Sequence, residues 1–216
     1  MAASRPTKEA APAAAGQAGD RAAGDGAVLP ARERILRTSA ELFARNGYHA
    51  TGMAELSTAT RLSRGSLYHH MDGKESILYE ICRVQIDDMN AQAAEIVGRG
   101  LPPAETLRVL GRALLRNISD HLNEWSVFFK EFQALSGDRR TEIVAARDQF
   151  EQYWLRTVRA VVPEGSGVDV SPVLVKGILG MFNYAYLWFR PGGPLSPEQT
   201  ADLFVDVLVK GLHPVE

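Results

Sequence analysis

An all-α fold is predicted, in which a small three-helix unit carrying a helix-turn-helix precedes a larger helical domain. Three observations predict it. From residue 30 onward apolar side chains recur at helical spacing, and no alternating run is long enough for a sheet. Helix starts and stops punctuate the chain: Ser63, Ser171-Pro172 and Ser196-Pro197-Glu198-Gln199 read as N-terminal caps, and Gly47 as a left-handed stop. Residues 51–75, TGMAELSTATRLSRGSLYHHMDGKE, read as two short helices about a tight turn, followed at once by the start of another.

Residues 1–29 are rich in Ala, Gly and Pro and hold almost no large apolar side chain before Val28. Such a segment cannot bury enough surface to offset the entropy of ordering, so a disordered N-terminal arm is expected. It lacks the uninterrupted apolar stretch of a secretory signal. Two readings of it stand open: an arm that reaches phosphates through Arg5, Lys8 and Arg21, or a solvated tail, which its formal charge of zero favours.

Residues 30–46 form the first helix, with Pro30 in its first turn and Ile35, Leu36, Ser39, Ala40, Leu42 and Phe43 facing inward. Arg32, Arg34, Arg37 and Arg45 fall mostly on the other side, as a solvated face or as an approach to a polyanion. Ser63 caps the helix that opens at Arg64, where only Leu67 and Met71 are clearly apolar, so one narrow stripe faces the core. Asp72 and Glu75 make a capping-box pattern for a long helix through Ile77, Leu78, Ile81, Val84, Ile86 and Met89, ending near Val97 before Gly98 and Gly100. Helices follow over about 103–122, 124–135 and 139–161, and Ser171 and Ser196 open the last two. Residues 173–189 are apolar on nearly all sides, but Lys176, Gly177, Gly180 and Asn183 interrupt them. The run is too short and too broken to cross a membrane, so it reads as a helix buried on several faces.

The outward face of the helix from Arg64 presents Arg64, Gly65, Ser66, Tyr68 and His69. These are small or donor-rich side chains of the kind that reach base edges in a major groove. Residues 30–75 hold seven Arg and Lys against five Asp and Glu, whereas residues 76–216 hold fourteen against eighteen, so the basic excess lies with that segment. Enzyme chemistry finds little support. Adjacent His69 and His70 diverge by about 100° on a helix and do not form the spaced pair of a metal site. No phosphate-binding glycine loop, nucleophile elbow or paired-cysteine motif occurs, and the single cysteine, Cys82, lies between apolar neighbours and reads as an inert thiol. No cofactor and no metal are expected, and the lone cysteine fits a reducing cytoplasm.

From Ile35 to Leu78 the chain resembles the N-terminal DNA-binding domain of the TetR (Tet-repressor) family. The resemblance rests on Ile35 and Leu36, Ala40, Leu42 and Phe43, Gly47 and Tyr48, Thr51, Leu56, the run LSRGSLYHH from Leu62 to His70, Lys74 and Glu75, and Leu78. Three departures stand out: Leu56-Ser57 where isoleucine-alanine is usual, Met71 for phenylalanine, and Arg61 for the glycine of the turn. The first two keep apolar volume. Arg61 predicts a left-handed residue that costs on the order of 1 kcal/mol and whose side chain can reach a phosphate.

That resemblance implies a homodimeric, ligand-responsive transcriptional repressor of a pseudo-palindromic double-stranded DNA operator. Thr51, Tyr68 and Lys74 would hold phosphates, and Arg64, Gly65, Ser66 and His69 would approach bases. It divides the chain into residues 1–29, a DNA-binding domain over 30–75 and a ligand-binding and dimerisation domain over 76–216. The last two long helices would supply half of a four-helix dimer interface, and a pocket between helices would hold the effector. Trp125, Phe128, Phe129, Phe132, Tyr153, Trp154, Met181, Tyr184 and Trp188 are the candidates for its walls, although aromatic residues at helical spacing are most often plain core. The segment WFRPGGPL from Trp188 to Leu195 is similar to the corresponding segment of TetR-family repressors of steroid-ring and fatty-acid catabolism, which respond to acyl-coenzyme A thioesters. The effector is then an acyl-CoA or another hydrophobic molecule, and Arg190 either meets its phosphate or carboxylate or caps its own helix. Two alternatives remain: a small-molecule carrier with purely structural N-terminal helices, and a ligand-independent DNA-binding dimer acting through a protein partner.

Overall fold

The computed structural model describes residues 30–212, so the expected arm over residues 1–29 lies outside the described residues. Those residues form helices and no strand: α1 (Ala31–Asn46), α2 (Met53–Thr60), α3 (Arg64–His70), α4 (Lys74–Gly98), α5 (Pro103–Asp120), α6 (Leu122–Glu131), α7 (Gly137–Val161), α8 (Pro172–Asn183), the single turn α9 (Ala185–Trp188) and α10 (Pro197–Leu212). Pro30 stands just before α1 rather than inside its first turn. The aromatic stretch after His121 ends its α-helix at Glu131 and continues as one 3-10 turn over Phe132–Ala134. The run expected to be continuous over 173–189 is divided at Tyr184 into α8 and α9.

Ile35, Phe43 and Leu56 of α1 and α2 close over Leu67 and Met71 of α3 and over Ile77 and Leu78 of α4. The α2–α3 turn needs a left-handed residue, and Arg61 takes that conformation at φ 56° and ψ 34°. Ser57 compensates for it: its hydroxyl donates to the Leu62 carbonyl at 2.6 Å, and the Leu62 N–H donates to the Ser57 carbonyl at 3.1 Å. Two reciprocal bonds across the turn offset a strain of about 1 kcal/mol. The N-terminus of α4 differs from the expected capping box. Asp72 does not cap it; the Ser76 hydroxyl instead accepts from the Gly73 N–H at 3.1 Å and donates to the Gly73 carbonyl at 2.8 Å. Gly73 has φ 151°, which a glycine reaches without steric cost.

At 25 residues α4 extends about 37 Å at the usual rise and runs unbroken from the three-helix unit into the rest of the chain. There it packs against α5, α6 and α7. Cys82 is fully buried on it, and burial pushes its thiol up to about 12, which makes it inert as expected. Two features of the larger domain depend on contacts distant in sequence. Gly111 of α5 sits under the ring of Phe182, where an added Cβ would stand 2.8 Å from Cε1. Arg108, Arg112 and Arg116, one per turn of α5, pair with Asp206 at 2.6 Å, Asp202 at 2.7 Å and Glu198 at 2.6 Å, which joins α5 antiparallel to α10.

Candidate DNA-binding face and effector cavity

The α3 surface is built by three anchors. Ser63 accepts from the Ser66 N–H at 3.1 Å and so caps the helix, while Leu67 at 0% and Met71 at 4% exposure fix its inner stripe. Arg64, Gly65, Tyr68, His69 and His70 are thereby left facing solvent, with Ser66 half-buried. Tyr68 is 51% exposed, so its hydroxyl is free to meet a partner. A Cβ at Gly65 would have no atom nearer than the Ser63 hydroxyl at 4.0 Å, so packing does not require glycine there.

Two of the residues expected at phosphates turn their side chains inward. Thr51 is completely buried, and its hydroxyl donates to the Gly47 carbonyl at 2.9 Å. Gly52 is the residue just before α2. The Lys74 ammonium is turned inward: it donates to the carbonyls of Tyr48 at 2.9 Å, Thr51 at 3.0 Å and His49 at 3.5 Å, and lies 4.3 Å from the Tyr48 ring centroid. Burial raises the pKa of the Tyr48 phenol, with the nearby Glu75 carboxylate adding to it. Lys74 near the positive end of α4 is thus offset within the chain by three loop carbonyls. Of the early arginines, Arg32 is occupied by Glu80 of α4 at 2.8 Å and Arg45 by Asn46 at 3.3 Å.

In the larger domain a cavity of about 200 Å³ opens between α4, α6, α7 and α8. Its inner wall is Trp125, Phe128 and Phe129, with Phe150 and Leu179 opposite, and Trp125 stacks on Phe129 at 5.4 Å and 24°. Its mouth is polar, with Arg147, Glu151, Lys176 and Asn183. Lys176 pairs with Glu151. Arg147 lies over the Phe132 ring at 5.0 Å and makes no ion pair among the described residues. The wall is wired to the long helix: the Trp125 indole donates to Asn117 Oδ1 at 2.8 Å, and Asn117 Nδ2 donates to Asp88 of α4 at 2.7 Å.

The remaining wall candidates fall elsewhere. Phe132 stands behind Arg147 rather than in the wall. Tyr153 packs under Arg156 at 5.2 Å, and Trp154 is fully buried core whose indole N–H finds no acceptor among the described residues. Met181 is half-buried away from the cavity, while Tyr184 at 60% and Trp188 at 44% are exposed. The reason is helical phase. On α8 the stripe 176, 179, 180 and 183 faces the cavity, and each next residue is about 100° round the helix, which turns Met181 and Tyr184 away. Arg190 is exposed, makes no side-chain hydrogen bond or ion pair among the described residues and caps no helix. The polar mouth was missed; its one sequence signal was Lys176 interrupting an otherwise apolar run. Tyr184 and Trp188 are instead exposed, as are Val173, Leu187, Leu203 and Val207 on α8, α9 and α10.

Comparison with known proteins places both halves. Residues 35–81 match the family model described as bacterial regulatory proteins, tetR family, and residues 100–212 match the tetracyclin repressor-like C-terminal domain. The chain is 30% identical over 185 residues to the HTH-type transcriptional repressor KstR2 of Rhodococcus jostii strain RHA1, covering 84% of this chain and 90% of that protein. Its structure is similar to that of the ketosteroid transcriptional regulator KstR2 of Mycobacterium tuberculosis, with a TM-score of 0.78 at 27% identity over 88% of this chain and 98% of the other. It is also similar to AibR in complex with isovaleryl coenzyme A and operator DNA, with a TM-score of 0.71 at 28% identity over 87% of this chain and all of the other.

Proposed function

Because this chain belongs to the TetR family of bacterial transcription regulators, we propose that it is a homodimeric, cytoplasmic repressor released from a pseudo-palindromic operator by an acyl-coenzyme A thioester. The exposed face of α3 would enter successive major grooves, with Arg64, Gly65, Ser66 and His69 at bases and Tyr68 at a phosphate. The apolar face of α8, α9 and α10 would bury itself against the same face of a second copy, which accounts for Val173 at 76% and Val207 at 66% exposure.

The observation that carries the effector reading is Arg147, a cation at the mouth of an aromatic cavity that makes no ion pair among the described residues. An effector with an apolar body and an anionic or strongly dipolar neighbouring group satisfies both. A volume of about 200 Å³ is below the usual range for a whole drug-sized ligand. It suits a short or branched acyl group, with the nucleotide left outside. Release requires that the thioester bind the DNA-incompetent arrangement more tightly than the competent one. Trp125, Asn117 and Asp88 connect the cavity wall to α4, whose tilt would change the separation of the two recognition helices.

The test is binding of the purified protein to the DNA upstream of its own gene, with a panel of thioesters of increasing acyl length and free coenzyme A. Release by short-chain thioesters but not by free coenzyme A is expected. Specific binding that no thioester affects would discard the effector and keep the DNA-binding regulator. Thioester binding without preference for any duplex over a scrambled one would favour a carrier protein.

A further inference from the structure

Seven glycines among the described residues hold a positive φ, and Arg61, in the turn between α2 and α3, is the only other residue that does. At φ 56° and ψ 34° it stands in the left-handed region, where the Cβ of an L-residue crowds the backbone and glycine does not. The turn does not need its side chain. The two bonds that close it run between Ser57 and Leu62, and the Arg61 backbone N–H donates to the Thr58 carbonyl at 3.2 Å, as a glycine N–H would. The side chain is exposed and takes part in no ion pair or ring contact among the described residues. A crowded backbone position thus carries a long cation that nothing else among the described residues uses.

Its surroundings are of one sign. Residues 56–71 hold Arg61, Arg64, His69 and His70 and no carboxylate. The acids that flank the stretch are engaged elsewhere: Glu55 accepts from Asn46 at 2.9 Å, and Asp72 faces Arg139 at 3.7 Å. Arg61 lies three residues before Arg64, just ahead of the exposed surface made by Arg64, Gly65, Tyr68 and His69. In a helix-turn-helix the first residues of the second helix approach base edges, so the turn that precedes them comes to the border of the groove, where the phosphates stand.

We infer that Arg61 grips a backbone phosphate at the border of the major groove, beside the base-reading side chains and not among them. This assignment, which rests on α3 as the DNA-facing helix, gives each protomer one contact that is indifferent to sequence. A guanidinium suits it, being planar, always charged and able to meet two phosphate oxygens at once. The contact displaces condensed counterions from the duplex, so it is read in the salt dependence of binding. One side chain then has two opposite effects: it strains the turn in the free protein and strengthens the complex.

The test compares Arg61→Gly, Arg61→Asn and Arg61→Lys with the unsubstituted full-length protein. Fluorescence anisotropy follows binding to the duplex upstream of its own gene and to a scrambled duplex over a range of salt. Glycine and asparagine both accept a positive φ. In each, affinity at moderate salt should fall about tenfold or more on both duplexes alike, and the slope of log affinity against log salt should drop by about 2 per dimer. Arg61→Lys should keep the slope, and the unfolding midpoint of Arg61→Gly should hold or rise. The assignment is overturned by an unchanged slope in Arg61→Gly, or by a loss on the operator that spares the scrambled duplex. A lowered unfolding midpoint with the slope intact would overturn it too, and would place the side chain at the negative end of α2 instead. A salt slope retained by Arg61→Gly removes Arg61 alone, whereas failure of the unsubstituted protein to bind any duplex removes the DNA-facing reading of α3 with it.

Discussion

The Lys74 ammonium donates to the carbonyl of Tyr48 at 2.9 Å while lying 4.3 Å from the centroid of the same residue's ring. The next residue, Glu75, faces another element: its carboxylate accepts from the backbone N–H and the hydroxyl of Ser136, each at 3.0 Å, just ahead of α7. Two consecutive residues at the start of α4 thus fasten the loop after α1 on one side and the start of α7 on the other. Both ties hold the N-terminus of α4, the helix that follows the short turn after α3.

Lys74→Met removes three charge-assisted donations and a cation–π contact. Denaturant unfolding should show a loss of about 1–3 kcal/mol. Operator affinity should fall alike for all sequences through the loosened loop, with the slope of affinity against salt unchanged. A slope reduced by about 1 per protomer would instead restore Lys74 as a phosphate contact.

Gly65→Ala meets no steric obstacle within the chain, since the nearest atom to the new Cβ is 4.0 Å away. Stability should be unchanged or rise by up to about 1 kcal/mol, as alanine replaces glycine in a helix. Operator affinity should nonetheless fall by about tenfold or more. Undiminished affinity would remove Gly65 from the DNA contact surface.

Asn117 is 7% exposed and holds both the Trp125 indole and the Asp88 carboxylate. Asn117→Leu leaves a buried N–H without an acceptor and should cost about 1–3 kcal/mol. If this bridge carries the signal, the variant should bind operator and thioester separately and lose most of the release. Full release with both affinities intact would show that the signal travels by another route.

The Arg112 guanidinium, with Arg108 beside it, holds the Asp202 carboxyl below its ordinary range. A depressed folded pKa contributes stability that is present above the unfolded value near 3.8 and is lost as pH falls through the folded value. Asp202→Asn should therefore lower stability by about 1 kcal/mol at neutral pH, given its partly exposed setting. The difference from the unsubstituted protein should shrink below about pH 4. Unfolding curves at pH 7 and pH 3 compare the two, and a difference that does not shrink with acid would assign the effect to packing.

The helix-turn-helix was legible because its determinants are local. Ser63 caps the helix it precedes, Leu67 and Met71 mark its inner stripe, and Arg61 occupies the one position where the turn requires a left-handed residue. The inward contacts of Thr51 and Lys74 were not legible, because their partners, a carbonyl four residues back and three loop carbonyls, exist only once the chain is folded. The aromatic wall of Trp125, Phe128 and Phe129 could be read from one helix. Tyr184 and Trp188 could not be separated from it, since composition does not report which side of α8 and α9 faces inward. Gly111 beneath Phe182 and the arginine ladder to α10 have partners 71 and more residues away, beyond the reach of any periodicity.

The central claim, that one protein couples an acyl cavity to an operator, is tested most directly by reciprocity. The affinity of a short-chain acyl-coenzyme A thioester should be measured on the free protein and on the protein saturated with its operator. Linkage requires the operator to weaken the thioester by the same factor by which the thioester weakens the operator, typically about 5–150-fold. Equal thioester affinity in the two states, with the operator still bound, would contradict the account.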